Sequence, residues 1–293
     1  MTTSLANASF ATGLAISSNG VAYSLANNGT ALLSYNIQTP FRSTIIDLSG
    51  SVESLSAIDF RPATGQLFGY DDATDSYVTL NPFNGITISA SGEAVTATNT
   101  PILDIDWNPT IDRLRTVTET DQNIVYNPNN GQASDSATTN LFYAEGDIQE
   151  GANPSIVANA YSNSVANATQ TTQYALDSVS NTLVTLDNNA GSLNTIGTLT
   201  LNDGILDFGN NAGFDIVTDG LGNNTAYASL EVNGNAALYT IDLQTAEADL
   251  VGFIDNNFIT PGGNGGLFST LGLDNNSFGI DAGSEFAASL GLI

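Results

Sequence analysis

Short apolar–polar runs recur along the chain, and they end alike. Leu33-Ser34-Tyr35-Asn36, Val78-Thr79-Leu80-Asn81, Val125-Tyr126-Asn127, Val184-Thr185-Leu186-Asp187 and Tyr239-Thr240-Ile241-Asp242 each read as a strand closing on Asn or Asp. A period of two sends alternate side chains to opposite faces of a strand. A closing Asn or Asp suits the exit, because its side chain bonds the turning backbone. The closing residues lie 45, 46, 60 and 55 residues apart. That spacing is the length of a propeller blade, with loop insertions in the two longer steps.

Two blocks match within one period. Ile58-Asp59-Phe60-Arg61-Pro62 aligns with Ile105-Asp106-Trp107-Asn108-Pro109, and Asn81-Pro82-Phe83-Asn84-Gly85 with Asn127-Pro128-Asn129-Asn130-Gly131. Four strands are expected in this unit: Leu55–Phe60, Gln66–Tyr70, Ser76–Leu80 and Gly85–Ala90, separated by turns at Thr64-Gly65, Asp71-Asp72 and Asn84-Gly85. Asn-Gly favours tight hairpins, since both residues tolerate positive φ. Repeated units of four short antiparallel strands predict an all-β protein, a β-propeller. Six blades are expected, with five or seven admitted and a β-sandwich as the rival. Residues 13–254 are read as the repeats. Residues 1–12 are read as an N-terminal strand that closes the ring or joins subunits. Residues 255–293, Gly-rich, are expected to complete the last blade or to mediate assembly.

Composition narrows the function. Charged residues are only 12% of the chain, yet 30 Asp and Glu face 4 Arg, with no Lys or His, for a formal net charge of −26. Nucleic acid is excluded as a partner, because its phosphates are held by positive charge. Divalent cations and saline surroundings suit such a chain, since both relieve self-repulsion. The absence of Cys rules out disulfides and thiolate chemistry. Residues 1–10 have neither the positive charge nor the apolar run of a signal peptide or membrane span. Export is therefore expected by another route or through a leader missing from this chain, and no membrane insertion is expected.

The motifs Ile58-Asp59-Phe60-Arg61-Pro62-Ala63-Thr64-Gly65-Gln66-Leu67 and Asp106-Trp107-Asn108-Pro109-Thr110-Ile111-Asp112-Arg113-Leu114-Arg115 carry a resemblance. The chain resembles an uncharacterised bacterial family of secreted, propeller-like proteins, a domain of unknown function, over roughly residues 13–255. The resemblance implies the fold and an extracellular or cell-surface setting. It brings no catalytic residues with it.

Three arginines, Arg61, Arg113 and Arg115, stand beside Asp59, Asp106 and Asp112 in these motifs. Guanidinium and carboxylate pair through parallel hydrogen bonds, so these six are expected to tie blades together. The alternative is an anionic ligand at the ring's central opening. Trp107 is expected in the core, as Phe60 is at the matching position. Two acidic turns, Asp71-Asp72-Ala73-Thr74-Asp75 and Glu145-Gly146-Asp147-Ile148-Gln149-Glu150, offer oxygens for calcium. Their candidate ligands are Asp71, Asp72, Asp75, Glu145, Asp147 and Glu150. No cofactor is required by this residue set, and calcium is the candidate ion. His, Cys and Lys, frequent carriers of proton transfer and nucleophilic attack, are all missing, so the chain is read as no enzyme. The leading expectation is an extracellular structural or adhesive module that self-associates into a filament, sheath or surface layer. A monomeric propeller binding carbohydrate or calcium is the alternative, which makes a glycan a candidate partner. A carboxylate-based glycoside hydrolase is the third reading.

Overall fold

A computed structural model describes residues 12–52, 54–89, 101–133 and 139–254. They form an all-β ring of five blades, each from one contiguous stretch of chain. Blade 1 contains Thr12–Ile16, Val21–Ala26, Ala31–Asn36 and Thr39–Asp47. Blade 2 contains Ala57–Phe60, Leu67–Asp71, Ser76–Leu80 and Ile86–Ser89. In blade 3, Ile102–Asn108, Arg113–Thr118 and Gln122–Asn127 are edged by two short strands, Gln132–Ala133 and Thr139–Asn140. Blade 4 is Ile156–Tyr161, Gln173–Asp177, Thr182–Leu186 and Ser192–Thr198, and blade 5 is Ala212–Thr218, Asn224–Val232, Asn235–Ile241 and Ala248–Phe253. Every blade is an antiparallel meander, innermost strand first. Ser49–Gly50 and Phe142–Tyr143 add short parallel pairings to the outer strands of blades 2 and 4. Among the described residues no helix is long and apolar enough to cross a membrane.

The five repeat ends behave as one device. The side-chain oxygens of Asn36, Asn81, Asn127, Asp187 and Asp242 each accept the backbone N–H two residues on, at 2.7–3.0 Å. In blades 2 to 5 the same residue's carbonyl also accepts the N–H four residues on, closing the turn before the outer strand. The longer repeat steps hold the crossing at 139–155 and the hairpin of Thr200–Leu201 with Gly204–Ile205.

The innermost strands stand side by side around the axis, and the first meets the fifth. Gly213 packs against blade 1 so closely that a Cβ there would lie 2.2 Å from the Gly13 carbonyl carbon. The ring thus closes at five blades, a count the repeats admitted, rather than at six, because blades 1 and 5 already touch backbone to backbone. The roles expected for residues 1–11 and 255–293 lie outside the described residues.

Apolar side chains fill the seams between blades. Blades 1 and 2 bury Leu25, Leu32, Ile58 and Val78. Blades 2 and 3 bury an aromatic layer of Phe68, Tyr70, Tyr77, Trp107 and Tyr126, with Trp107 edge-on to Phe68 at 4.9 Å between ring centres. Trp107 is fully buried, as its repeat position predicts. Blades 5 and 1 close over Leu14, Tyr35, Leu238 and Ile254.

Candidate functional site at the ring axis

An innermost strand has a neighbour on only one side, so its free edge presents unpaired N–H groups to the axis. A buried N–H needs an acceptor, and aspartates on these strands supply it across the seams. Asp215 Oδ2 accepts from Ile16 N at 2.6 Å, Asp59 Oδ2 from Trp107 N at 3.0 Å, and Asp106 Oδ1 from Tyr161 N at 3.3 Å. Asp104, two residues before Asp106 on the same strand, accepts from Asn159 N at 2.9 Å. Each carboxylate therefore stitches its blade to the next, at three of the five seams, and the Asp215 link joins the last blade to the first.

This stitching gathers negative charge. One carboxylate oxygen from each of Asp59, Asp106 and Asp215 lies within 4.8 Å of the other two, and all three residues are buried. Asp104 is buried as well, and its second oxygen, Oδ1, has no partner. Burial, followed by the charge of Asp215, lifts Asp59 well above the usual carboxylate range. Burial, then the charges of Asp59, Asp215 and Asp104, does the same to Asp106. Burial raises Asp104 also. Asp215 is pushed by burial up to about 7, held from rising further by the N–H groups of Ile16 and Ile216. Among the described residues none of these carboxylates is in a salt bridge. Two states relieve such a cluster: shared protons or a bound cation.

The geometry suits the cation. Calcium takes oxygen ligands at about 2.3–2.6 Å, and three oxygens within 4.8 Å of one another can surround such an ion. The N–H bonds fix the carboxylates in place beforehand.

The arginines are placed differently from the expectation. Arg61 pairs with Asp112 alone, Nε to Oδ1 at 2.7 Å and Nη2 to Oδ2, and lies 5.0 Å from the Trp107 ring centre. That contact ties blade 2 to blade 3, as predicted for the arginines as a group. Asp59 and Asp106 turn instead to the axis, where each accepts from the backbone edge of the next blade. Arg113 is half-buried and donates to the carbonyls of Ile111 and Asp112. Arg115 is buried with Nε and Nη1 unpartnered.

The two acidic turns do not gather into a cage. Asp71 caps its own turn through Ala73 N and the Thr74 hydroxyl, Asp72 accepts from Ile102 N at 3.3 Å, and Asp75 takes the Tyr70 hydroxyl. Asp147 clips Thr195 through N at 2.6 Å and Oγ1 at 2.8 Å, Glu150 takes Gly146 N, and Glu145 is exposed. These oxygens serve turns and loop anchoring.

Asp104 and Asp215 are functional candidates that pattern reading passed over. A signal was present. Asp59, Asp104, Asp106 and Asp215 each sit between two apolar residues on the first strand of a blade. A carboxylate so flanked has no solvent to turn to once both seams pack.

Residues 31–260 match the family described as Domain of unknown function (DUF4394). No curated protein matches the chain. Among solved structures, the chain is similar to a streptogramin B lyase, at 12% identity and TM-score 0.45 over 84% of this chain and 70% of the other. An auxiliary nutrient binding protein from Bacteroides ovatus aligns at 12% identity and TM-score 0.48, over 81% of this chain and 58% of its own. The Dos1 propeller aligns at 14% identity and TM-score 0.42, over 83% and 60%. The chain thus spans under two thirds of the latter two.

Proposed function

The chain belongs to the DUF4394 family, and from its axis we propose a non-catalytic, ligand-binding propeller of the cell exterior whose ligand is a hard divalent cation, calcium foremost. The observation that carries this reading is the convergence of Asp59, Asp106 and Asp215 on one buried point. The unpartnered Oδ1 of Asp104 supports it independently: its charge acts on both Asp59 and Asp106, and it lacks the donor a buried oxygen requires. Calcium is favoured over magnesium because Mg²⁺ keeps several of its waters, whereas Ca²⁺ accepts an irregular shell of protein oxygens. A bound ion would draw blades 2, 3 and 5 toward one centre, so its effect is on the rigidity of the whole ring. The acidic composition and the family resemblance support an exterior setting, where calcium is abundant.

The test is thermal unfolding at pH 8 in calcium against EGTA, at matched ionic strength. A site filled at 100 times its Kd contributes about 2.7 kcal/mol, or roughly 5–11 °C in Tm for a chain of this size. The Asp72→Asn/Glu150→Gln variant keeps the response, because neither residue lines the axis. Superimposable curves for the wild type in the two conditions would refute the reading.

A further inference from the structure

Among the described residues, six of the seven buried side-chain atoms that lack a partner belong to blades 3 and 4, and five face the seam between those two blades. They are Asp104 Oδ1, Arg115 Nε and Nη1, Asn123 Oδ1 and Asn159 Nδ2. The register shows why they share it. Arg115 stands directly opposite Asp106, and Asn123 opposite Val117, which in turn faces Asp104. Residues opposite one another across antiparallel strands point to the same face, and Asp104 and Asp106 reach blade 4 from that face. From blade 4, Asn159 and Tyr161 look back from one face of their strand. Tyr161 hydrogen-bonds Gln173 and touches Arg115, and Gln173 donates to Asn159 Oδ1 at 2.7 Å. Asn123 Nδ2 donates to the Asn188 carbonyl at 3.3 Å, and the Asn188 side chain also meets Tyr161. The seam between blades 2 and 3 is an aromatic stack by contrast.

Within this seam the free groups are sorted. Asp104 lies toward the axis and Asn123 toward the rim. Between them, around Tyr161, are donors only: Nε and Nη1 of Arg115 and Nδ2 of Asn159. Arg115 is 3% exposed and Asn159 0%. The one salt bridge among the described residues is that of Arg61 and Asp112; Arg115 hydrogen-bonds Tyr161, and the Asp187 carboxylate acts on it only from beyond salt-bridge distance. Buried charge demands a counter-charge, and an N–H cluster without an acceptor demands one that accepts from every side.

We propose that the seam between blades 3 and 4 holds a small monovalent anion, of which chloride is the physiological example, between Arg115 and Asn159. A single-atom ion accepts N–H donors from all directions. The site is separate from the axial cation and does not depend on it.

Chloride is the probe. Thermal unfolding is compared in sodium chloride and in sodium gluconate at equal ionic strength, both in EGTA, so that general screening and any axial calcium are constant. The expected result is a Tm higher in chloride by roughly 3 °C or more. Arg115→Gln abolishes the difference, while Arg113→Gln, whose contacts are to carbonyls at a half-buried position, retains it. Chloride-35 NMR on the wild type gives a readout free of any folding defect in the variant: a protein-dependent line broadening that excess bromide displaces. Equal Tm in the two salts, or broadening that bromide leaves unchanged, would mean water alone fills the seam and would overturn the proposal.

Discussion

Replacing Asp215 by Asn makes the protein more stable, under one set of conditions and not another. Asp215 Oδ2 accepts from Ile16 N at 2.6 Å across the ring closure, and an asparagine oxygen can take the same bond. What the substitution removes is charge. The Asp215 carboxyl titrates at about 7 against an ordinary 3.8. Each unit of difference is worth about 1.4 kcal/mol, so ionising this group costs the folded state ~4 kcal/mol. The folded carboxyl keeps its proton to higher pH than the unfolded one. Wild-type stability is therefore full below about pH 4 and falls as pH rises toward 7. Asp59, Asp104 and Asp106, raised by burial in the same direction, carry the decline further upward. The new amide nitrogen needs a partner and gives back about 1–3 kcal/mol. At pH 8 in EGTA the variant should gain a net ~2 kcal/mol, about 4–8 °C in Tm. At pH 5 the charge term shrinks to roughly 1.6 kcal/mol, because the unfolded carboxyl is ionised and the folded one is not, and the cost of the amide cancels it. Calcium at pH 8 reverses the order, because only the wild type offers all three carboxylates. The assay is a grid of melting temperatures over pH 5–8 with and without calcium. A variant less stable than the wild type by the same amount at every pH would show that charge at the axis is not the issue.

Two further outcomes follow from the seams. Arg61→Ala removes both the Asp112 pair and the stacking on Trp107, and should cost about 1–3 kcal/mol in chemical denaturation, whereas Arg113→Ala stays within about 0.5 kcal/mol. Gly213→Ala forces a Cβ against the Gly13 backbone at 2.2 Å and should cost several kcal/mol or prevent folding; Gly220→Ala, with nothing within 4 Å, is the control. Differential scanning calorimetry on the pair decides whether ring closure is as tight as described.

The architecture was legible in the chain because its signals are local. Strand alternation and an Asn or Asp at strand exit act within a few residues. At all five predicted exits, from Asn36 to Asp242, the side chain accepts the backbone N–H two residues on. The second blade's strands fall within a residue or two of their predicted bounds. Blade number was not local: it depends on when the accumulated rotation between blades brings Gly213 onto Gly13, and no segment encodes that angle. Partners were legible only as types. Arginine and aspartate side by side in two motifs announced pairing, and Arg61 with Asp112 obeys. Asp59 and Asp106 do not, because in the ring each accepts a hydrogen bond from the bare strand edge of the following blade. The axial site arises from residues as far apart as Asp59 and Asp215, aligned by nothing but blade equivalence. Sequence thus determined the strands, the turns and the excess of acid; tertiary structure decided which acids meet, since only closure of a ring brings separate strands to one point.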